Sequence, residues 1–347
     1  MPRVLVFGAT GYLGQAVTQA MVRSGLHTVY GLCRSAHKAQ ALAACEVTPV
    51  VCEDPANTPG PYLDAIRQFR INVVVDCTAA YGDSARFLAD VKAVGQEQLD
   101  AFSAKEGGGG AGVGPPPRMG FVYISGAWVH GESDGAVSDL DPVGTASGPT
   151  QPLALVAWRP ELERQVMAAR DVLDVMIFRP AQMHGRASSG WSALWGPIAR
   201  AVADGKSHVQ IPVAPTSQSP VIHVDDVASA VCLGVGKISL LGGGPSVYPV
   251  FDLVSTTENI RDILAAFARA VSKAKGGRLD LDSSGLATTL SSRPWVRPFI
   301  VTAPGHENCL VGSQRGTASL RRWTFTRKRG KRVKCERNVQ ETIAWLG

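Results

Sequence analysis

Short apolar runs rich in valine and isoleucine alternate along the chain with longer stretches in which apolar positions recur every three to four residues. The first kind predicts strands near 3–7, 28–33, 47–52, 72–77, 119–125 and 173–179, and the second predicts helices between them. Runs such as INVVVDC (71–77) carry almost no polar residue. A strand buried on both faces needs that composition, so the alternation predicts an α/β fold with a doubly wound parallel sheet. After about residue 181 the rhythm breaks, returns for VIHVDDVASAVCLG and breaks again. The pattern predicts a main domain over 1–180, continued by about 221–255. A smaller C-terminal lobe for substrate would then be assembled from 181–220 and 256–347.

Two stretches modify this outline. EGGGGAGVGPPPR (106–118) is low in complexity and lacks the side chains to build a core; it reads as a flexible surface insertion, because the strand rhythm continues beyond it. LALVAWRPELERQV (153–166) begins like a buried helix and is interrupted at Trp158-Arg159-Pro160. Proline is tolerated in a first helical turn and breaks a ladder further in, so a helix is expected to start or kink just after Trp158.

Composition narrows the class. With 347 residues, 45% hydrophobic and 18% charged, the chain can bury one large core or two joined ones. No apolar run approaches the ~18 residues of a membrane helix and no signal peptide precedes Val4-Leu5-Val6-Phe7, which points to a cytoplasmic protein without membrane contact. The seven cysteines form no C-x-x-C pair, so neither a disulfide framework nor a metal site is expected. Much of the net charge of +6 sits in RKRGKRVKCER (327–337). That run reads as a solvated turn before a docked helix carrying Val339, Ile343 and Trp345, and no nucleic acid is expected as a partner.

The first strand runs into FGATGYLGQAV, with Gly8, Gly11 and Gly14 between a strand and a helix. Glycines in that context let the backbone turn tightly and approach a pyrophosphate, whose charge is favoured at the helix N-terminus. This predicts a Rossmann-type dinucleotide site. The second strand, TVYGLCRS, ends in Arg34 where an acidic residue would hold free ribose hydroxyls. A guanidinium suits a 2′-phosphate, which predicts NADP(H), with NAD as the alternative.

The chain resembles the extended short-chain dehydrogenase/reductase family, of the NAD(P)-dependent epimerase/dehydratase type, in an atypical form. The resemblance rests on FGATGYLG (7–14), VVVDCTAAYG (73–82), FVYISGAWVHG (121–131), FRPAQMHG (178–185), VIHVDDVASA (221–230) and the C-terminal LRRWTF and AWLG, in that order. It implies diphosphate contacts by Gly8, Ala9, Thr10, Gly11, Tyr12, Leu13 and Gly14. It places Thr78 and Ala79 beside the cofactor ribose, Ser125 on the reacting oxygen and Pro180 against the nicotinamide. His223, Asp225 and Asp226 would anchor the helix joining the lobes.

The departure lies in 153–166. The family's working pair is Tyr-x-x-x-Lys, in which lysine holds the ribose and lowers the tyrosine's pKa. Counting back from Glu163 puts Arg159 in the lysine position and Leu155 in the tyrosine position, and no tyrosine of the chain has lysine four residues on. Arg159 could hold ribose hydroxyls, or simply pair with Glu163 on a helix surface; Leu155 has no proton to give. His130, His184 and Tyr81, all near C-terminal strand ends, are the candidate proton donors. Trp191 and Trp195, one helical turn apart, either line an apolar substrate cleft or belong to a core.

The resulting expectation is an NADP(H)-dependent oxidoreductase, monomeric or homodimeric, that reduces the carbonyl of a small apolar or secondary-metabolite-like substrate. Two alternatives accompany it: a nucleotide-sugar epimerase or dehydratase, and a non-catalytic NAD(P)-sensing binding protein.

Overall fold

The computed structural model describes residues 1–78, 82–105, 116–133, 137–186, 191–211, 213–243, 247–274 and 279–282. The main sheet contains β1 (Arg3–Phe7), β2 (Thr28–Cys33), β3 (Thr48–Val51), β4 (Val73–Asp76), β5 (Gly120–Ile124) and β6 (Asp174–Pro180). Between them run α1 (Tyr12–Ser24), α2 (Ala36–Ala43), α3 (Gly60–Gln68), α4 (Asp83–Lys105) and α5 (Arg159–Ala168). Beyond β6 come β7 (Gln182–His184), α6 (Ser192–Ala203), β8 (His208–Gln210), β9 (Gln218–His223), α7 (Val224–Leu241) and β10 (Val250–Leu253). The last described elements are β11 (Thr256–Asn259), α8 (Ile260–Ala274) and β12 (Asp280–Asp282).

Seven strands form one parallel sheet in the order β3-β2-β1-β4-β5-β6-β10. Successive side chains of each strand enter different cores, as the two-residue period requires. Val4 and Val6, Val122 and Ile124, Met176 and Phe178 pack with α1 and α7 through Val17, Met21, Val227 and Val231. Leu5 and Phe7, Phe121 and Tyr123, Val175 and Ile177 pack with α3, α4 and α5 through Tyr62, Phe87, Val91 and Val166. The six strands expected from the sequence are present, displaced by no more than about two residues at their ends.

A third core joins Trp191, Ile198, Ile211, Leu264 and Phe267, with Trp195 packed against it. The ring centroids of Trp195 and Phe267 lie 4.3 Å apart. The tryptophan pair is therefore a packing element. Around it stand a three-stranded sheet, β11-β9-β7, and the pair β12-β8. No helix among the described residues is long and apolar enough to cross a membrane. The segment 106–115, the basic run 327–337 and the C-terminal motifs lie outside the described residues.

Candidate active site

Strand order reverses between β1 and β4, and ligands of open parallel sheets settle outside the C-terminal strand ends at such a point. The glycine loop stands there. Gly8 has φ +72°, and the Gly11 amide donates to its carbonyl oxygen at 2.8 Å. A Cβ at Gly14 would lie 2.0 Å from that same oxygen, so helix and turn approach as closely as only glycine permits. Gly11 caps α1 with no side-chain hydrogen bond, and the first turn holds no acidic residue. The opening amides of the helix therefore have no carboxylate competing with a phosphate, and the loop fits a dinucleotide diphosphate.

The other loop residues divide by role. Ala9 and Leu13 are buried in the core, so only their backbone faces a ligand. Thr10 gives its carbonyl to Gln15 Nε2 at 3.1 Å. Tyr12 donates its hydroxyl to the Gly185 carbonyl at 2.7 Å, tying the loop to the segment after β7. Arg34 is exposed beyond β2, and Ser35 caps α2 by accepting from the Lys38 amide. Thr78 donates its hydroxyl to Asp76 Oδ1 at 2.6 Å, which braces the strand end. Asp76 is fully buried, and burial pushes its carboxyl above the usual range against the hydrogen bonds of Ser84 and Thr78. Ala79 and Tyr81 lie outside the described residues.

A cavity of about 670 Å³ opens beside the ends of β5 and β6. Its apolar walls include Trp128, Leu155, Val156, Trp158 and Pro180, and among the described residues Arg159 is the one ionisable group lining it. Pro160 stands in the first turn of α5, which begins at Arg159 as the sequence predicts. Arg159 is 9% exposed and does not pair with Glu163. Its Nη1 donates to the Tyr123 hydroxyl at 3.2 Å and to the Ile124 carbonyl at 3.1 Å. Its Nε is buried without a hydrogen-bond partner. The surface pair of α5 is instead Arg164 with Glu161, at 2.7 Å. Leu155, in the place of the tyrosine, is 74% exposed.

Behind the cavity runs a buried polar chain that the sequence reading missed. Ser125 donates its hydroxyl to Glu163 Oε1 at 2.5 Å, and Glu163 pairs with Arg179 at 2.6 Å. Arg179 Nη1 lies 3.7 Å from Asp252 Oδ1, and Asp252 Oδ2 lies 2.7 Å from His130 Nε2. Two of the expected catalytic residues, Ser125 and His130, stand in this chain. The Ser125 hydroxyl is committed to a carboxylate, and the neighbour that lines the cavity is Gly126, which has no donor side chain. His130 is 1% exposed and bound to Asp252, so it is not placed to hand a proton to the cavity. The sequence signal was a lone charge inside an apolar strand: Arg179 in DVMIFRP and Asp252 in VFDL. Buried charges are paired, and each such residue announces a partner.

His184 lies against His223, with ring centroids 5.3 Å apart. Burial, with His223 beside it, pushes its imidazole down to about 4. At neutral pH it is therefore an uncharged ring and a poor acid. His223 Nδ1 accepts from the Asp225 amide at 3.1 Å and caps α7, while Asp225 pairs with Arg186 at 2.6 Å. The depressed value makes His184 bind fewer protons folded than unfolded between its ordinary ~6.5 and about 4. Its contribution is thus complete above ~6.5 and lost as pH falls toward 4. Denaturant midpoints from pH 7 to 4 should fall less steeply in His184→Asn than in the parent; identical slopes would assign the acid sensitivity elsewhere.

A parallel doubly wound sheet with a glycine loop at its switch point and a cavity over β5 and β6 defines a dinucleotide-binding oxidoreductase fold. The chain belongs to the NAD dependent epimerase/dehydratase family, whose model matches residues 4–240. Among solved structures, the dTDP-glucose 4,6-dehydratase of Bacillus anthracis in complex with NAD is 14% identical. It matches over 100% of this chain and 96% of its own, with a TM-score of 0.61. The UDP-glucose-4-epimerase of Stenotrophomonas maltophila with bound NAD is 18% identical over 85% and 89% of the two chains, with a TM-score of 0.55. UDP-glucuronic acid 4-epimerase of Bacillus cereus is 16% identical over 86% and 90%, with a TM-score of 0.53. These likenesses establish the fold. No curated protein matches the chain.

Proposed function

We propose that the protein is an NADP(H)-dependent oxidoreductase that reduces a carbonyl without the Tyr-x-x-x-Lys pair. The observation that carries the reading is Arg159, a permanent charge with a buried, unpartnered Nε in an otherwise apolar cavity. Held along the glycine loop, the cofactor would supply hydride at the cavity. Arg159 places positive charge on the cavity wall, where it attracts an anionic group of the substrate, and low-polarity walls strengthen that attraction. Trp128 and Trp158, both half-buried, give the reacting face its apolar walls. The proton then comes from a water or from Tyr81, since Ser125, His130 and His184 are committed or uncharged.

Arg34 selects the phosphorylated dinucleotide in this reading. A hydrogen bond to a charged group contributes about 1.5–3 kcal/mol, so Arg34→Asp should weaken NADPH roughly 10- to 100-fold and leave NADH nearly unchanged. Calorimetric titration with both cofactors checks it, and equal losses for the two would remove the assignment. Consumption of NADPH with a carbonyl panel then tests the reaction itself.

A cofactor-sensing binding protein is the second reading, favoured by the Ser125–Glu163 bond and by Leu155 in the tyrosine position. Tight NADPH binding without turnover on any carbonyl would favour it. The solved structures of similar fold are sugar-nucleotide enzymes, but a cavity whose described polar lining side chains are Arg159 and Gln182 offers few donors for sugar hydroxyls.

A further inference from the structure

The guanidinium of Arg159 has two inequivalent sides. Nη1 is spent inward on Tyr123 and Ile124, which fixes the orientation of the planar group. The opposite edge, Nε with Nη2, makes no hydrogen bond among the described residues, and Nε is shut off from water. That edge is the fork that matches a carboxylate with two parallel hydrogen bonds.

Charge accounting points the same way. No carboxylate lies within ion-pair distance of Arg159 among the described residues. The carboxylate one helical turn on, Glu163, is engaged by Arg179 through both of its oxygens, and Glu161 pairs with Arg164. The compensation on record is the Trp158 ring, 4.8 Å from the guanidinium carbon, and the longer-range field of Asp76. A buried charge left this way is costly, and an anion arriving on the open edge relieves the cost. Apart from Gln182 the remaining lining is apolar, with Trp128, Trp158, Leu155, Val156 and Pro180 as its larger side chains. A volume of about 670 Å³ lies in the small-ligand range.

We infer that the cavity binds a small aromatic carboxylate, its carboxylate forked onto the Nε–Nη2 edge of Arg159 and its ring held among Trp128, Trp158 and Leu155. The inference rests on the cavity being the substrate site of the reading above, and it names the class of ligand.

The probe is cinnamate, titrated calorimetrically and by tryptophan fluorescence into the full chain, alone and with saturating NADP⁺. Cinnamamide, the uncharged analogue of nearly the same shape, and UDP-glucose are run beside it. Cinnamate should bind at least about tenfold tighter than cinnamamide, since a charge-assisted fork contributes about 1.5 kcal/mol or more. The advantage should be lost in Arg159→Met and partly kept in Arg159→Lys, which retains the charge without the fork. Equal affinity for the two analogues, no binding of cinnamate, or tighter binding of UDP-glucose would overturn the inference. Should Arg159→Met fail to fold, the comparison on the parent protein decides alone. The separate NADPH titration reports on the cofactor site, so a failure here is distinguishable from a failure of the oxidoreductase reading.

Discussion

Replacing Glu163 with alanine should destabilise the protein by about 3–5 kcal/mol, the cost of leaving one member of a buried ion pair alone. Arg179 is 1% exposed and gives Nε and Nη2 to Glu163. Its other neighbour, Asp252, stands 3.7 Å away and is shared with His130. Without Glu163 the guanidinium keeps its charge and loses its bidentate partner, and the Ser125 hydroxyl loses its acceptor in the same event. Guanidinium unfolding measures the loss. The double replacement Glu163→Leu with Arg179→Met separates charge from shape, because a pair replaced by apolar groups of similar volume is often neutral. Recovery of most of the stability would assign the single-variant loss to an orphaned charge. A double variant as weak as the single one would place the loss in the geometry linking α5, β6 and β10.

The second large effect belongs to the glycine loop. Gly14→Ala places a methyl group 2.0 Å from the Gly8 carbonyl oxygen and 2.9 Å from the Ala9 Cα, both backbone atoms that no rotamer change can move. Either α1 withdraws or the Gly8–Gly11 turn opens, and both shift the amides that would face a diphosphate. NADPH and NADH should weaken together by at least about 100-fold, roughly 2.7 kcal/mol. Gly236→Ala on α7 is the matched control: nothing lies within 4 Å of its added methyl, so binding should be unchanged and helix stability slightly raised. Intact cofactor binding in Gly14→Ala would refute the loop as the diphosphate cradle.

What could be read from the chain depended on how local its cause was. The strands were legible because burial on both faces leaves an unbroken apolar run, as in Val73–Val75. The start of α5 was legible because Pro160 suits a first turn. The small lobe was not. Strand β7 has three residues, and α6 carries Pro197 inside it, so neither shows the periodicity that marks an element. At the site, the turn around Gly8 follows from spacing alone. The Ser125–Glu163–Arg179–Asp252–His130 chain joins residues up to 122 apart, and spacing carries no information about such partners. For Glu163 the sequence offers Arg159 as one possible partner and is silent on Arg179, which comes within reach only through the placement of β6 beside α5.

The order of the main sheet also bears on how the molecule could be taken apart. Strand β10 lies at the sheet edge beside β6, yet the chain reaches it only after passing through β7, α6, β8, β9 and α7. The two halves are interlaced by several crossings of the polypeptide. A single break of the chain between β7 and α6 would therefore leave the pieces clasped through β10 and α7, and no single truncation point would yield β1 to β6 with the edge strand β10 in place. Exchange of the segment from β7 to α7 between relatives would need at least two coordinated junctions, one after β6 and one before β10.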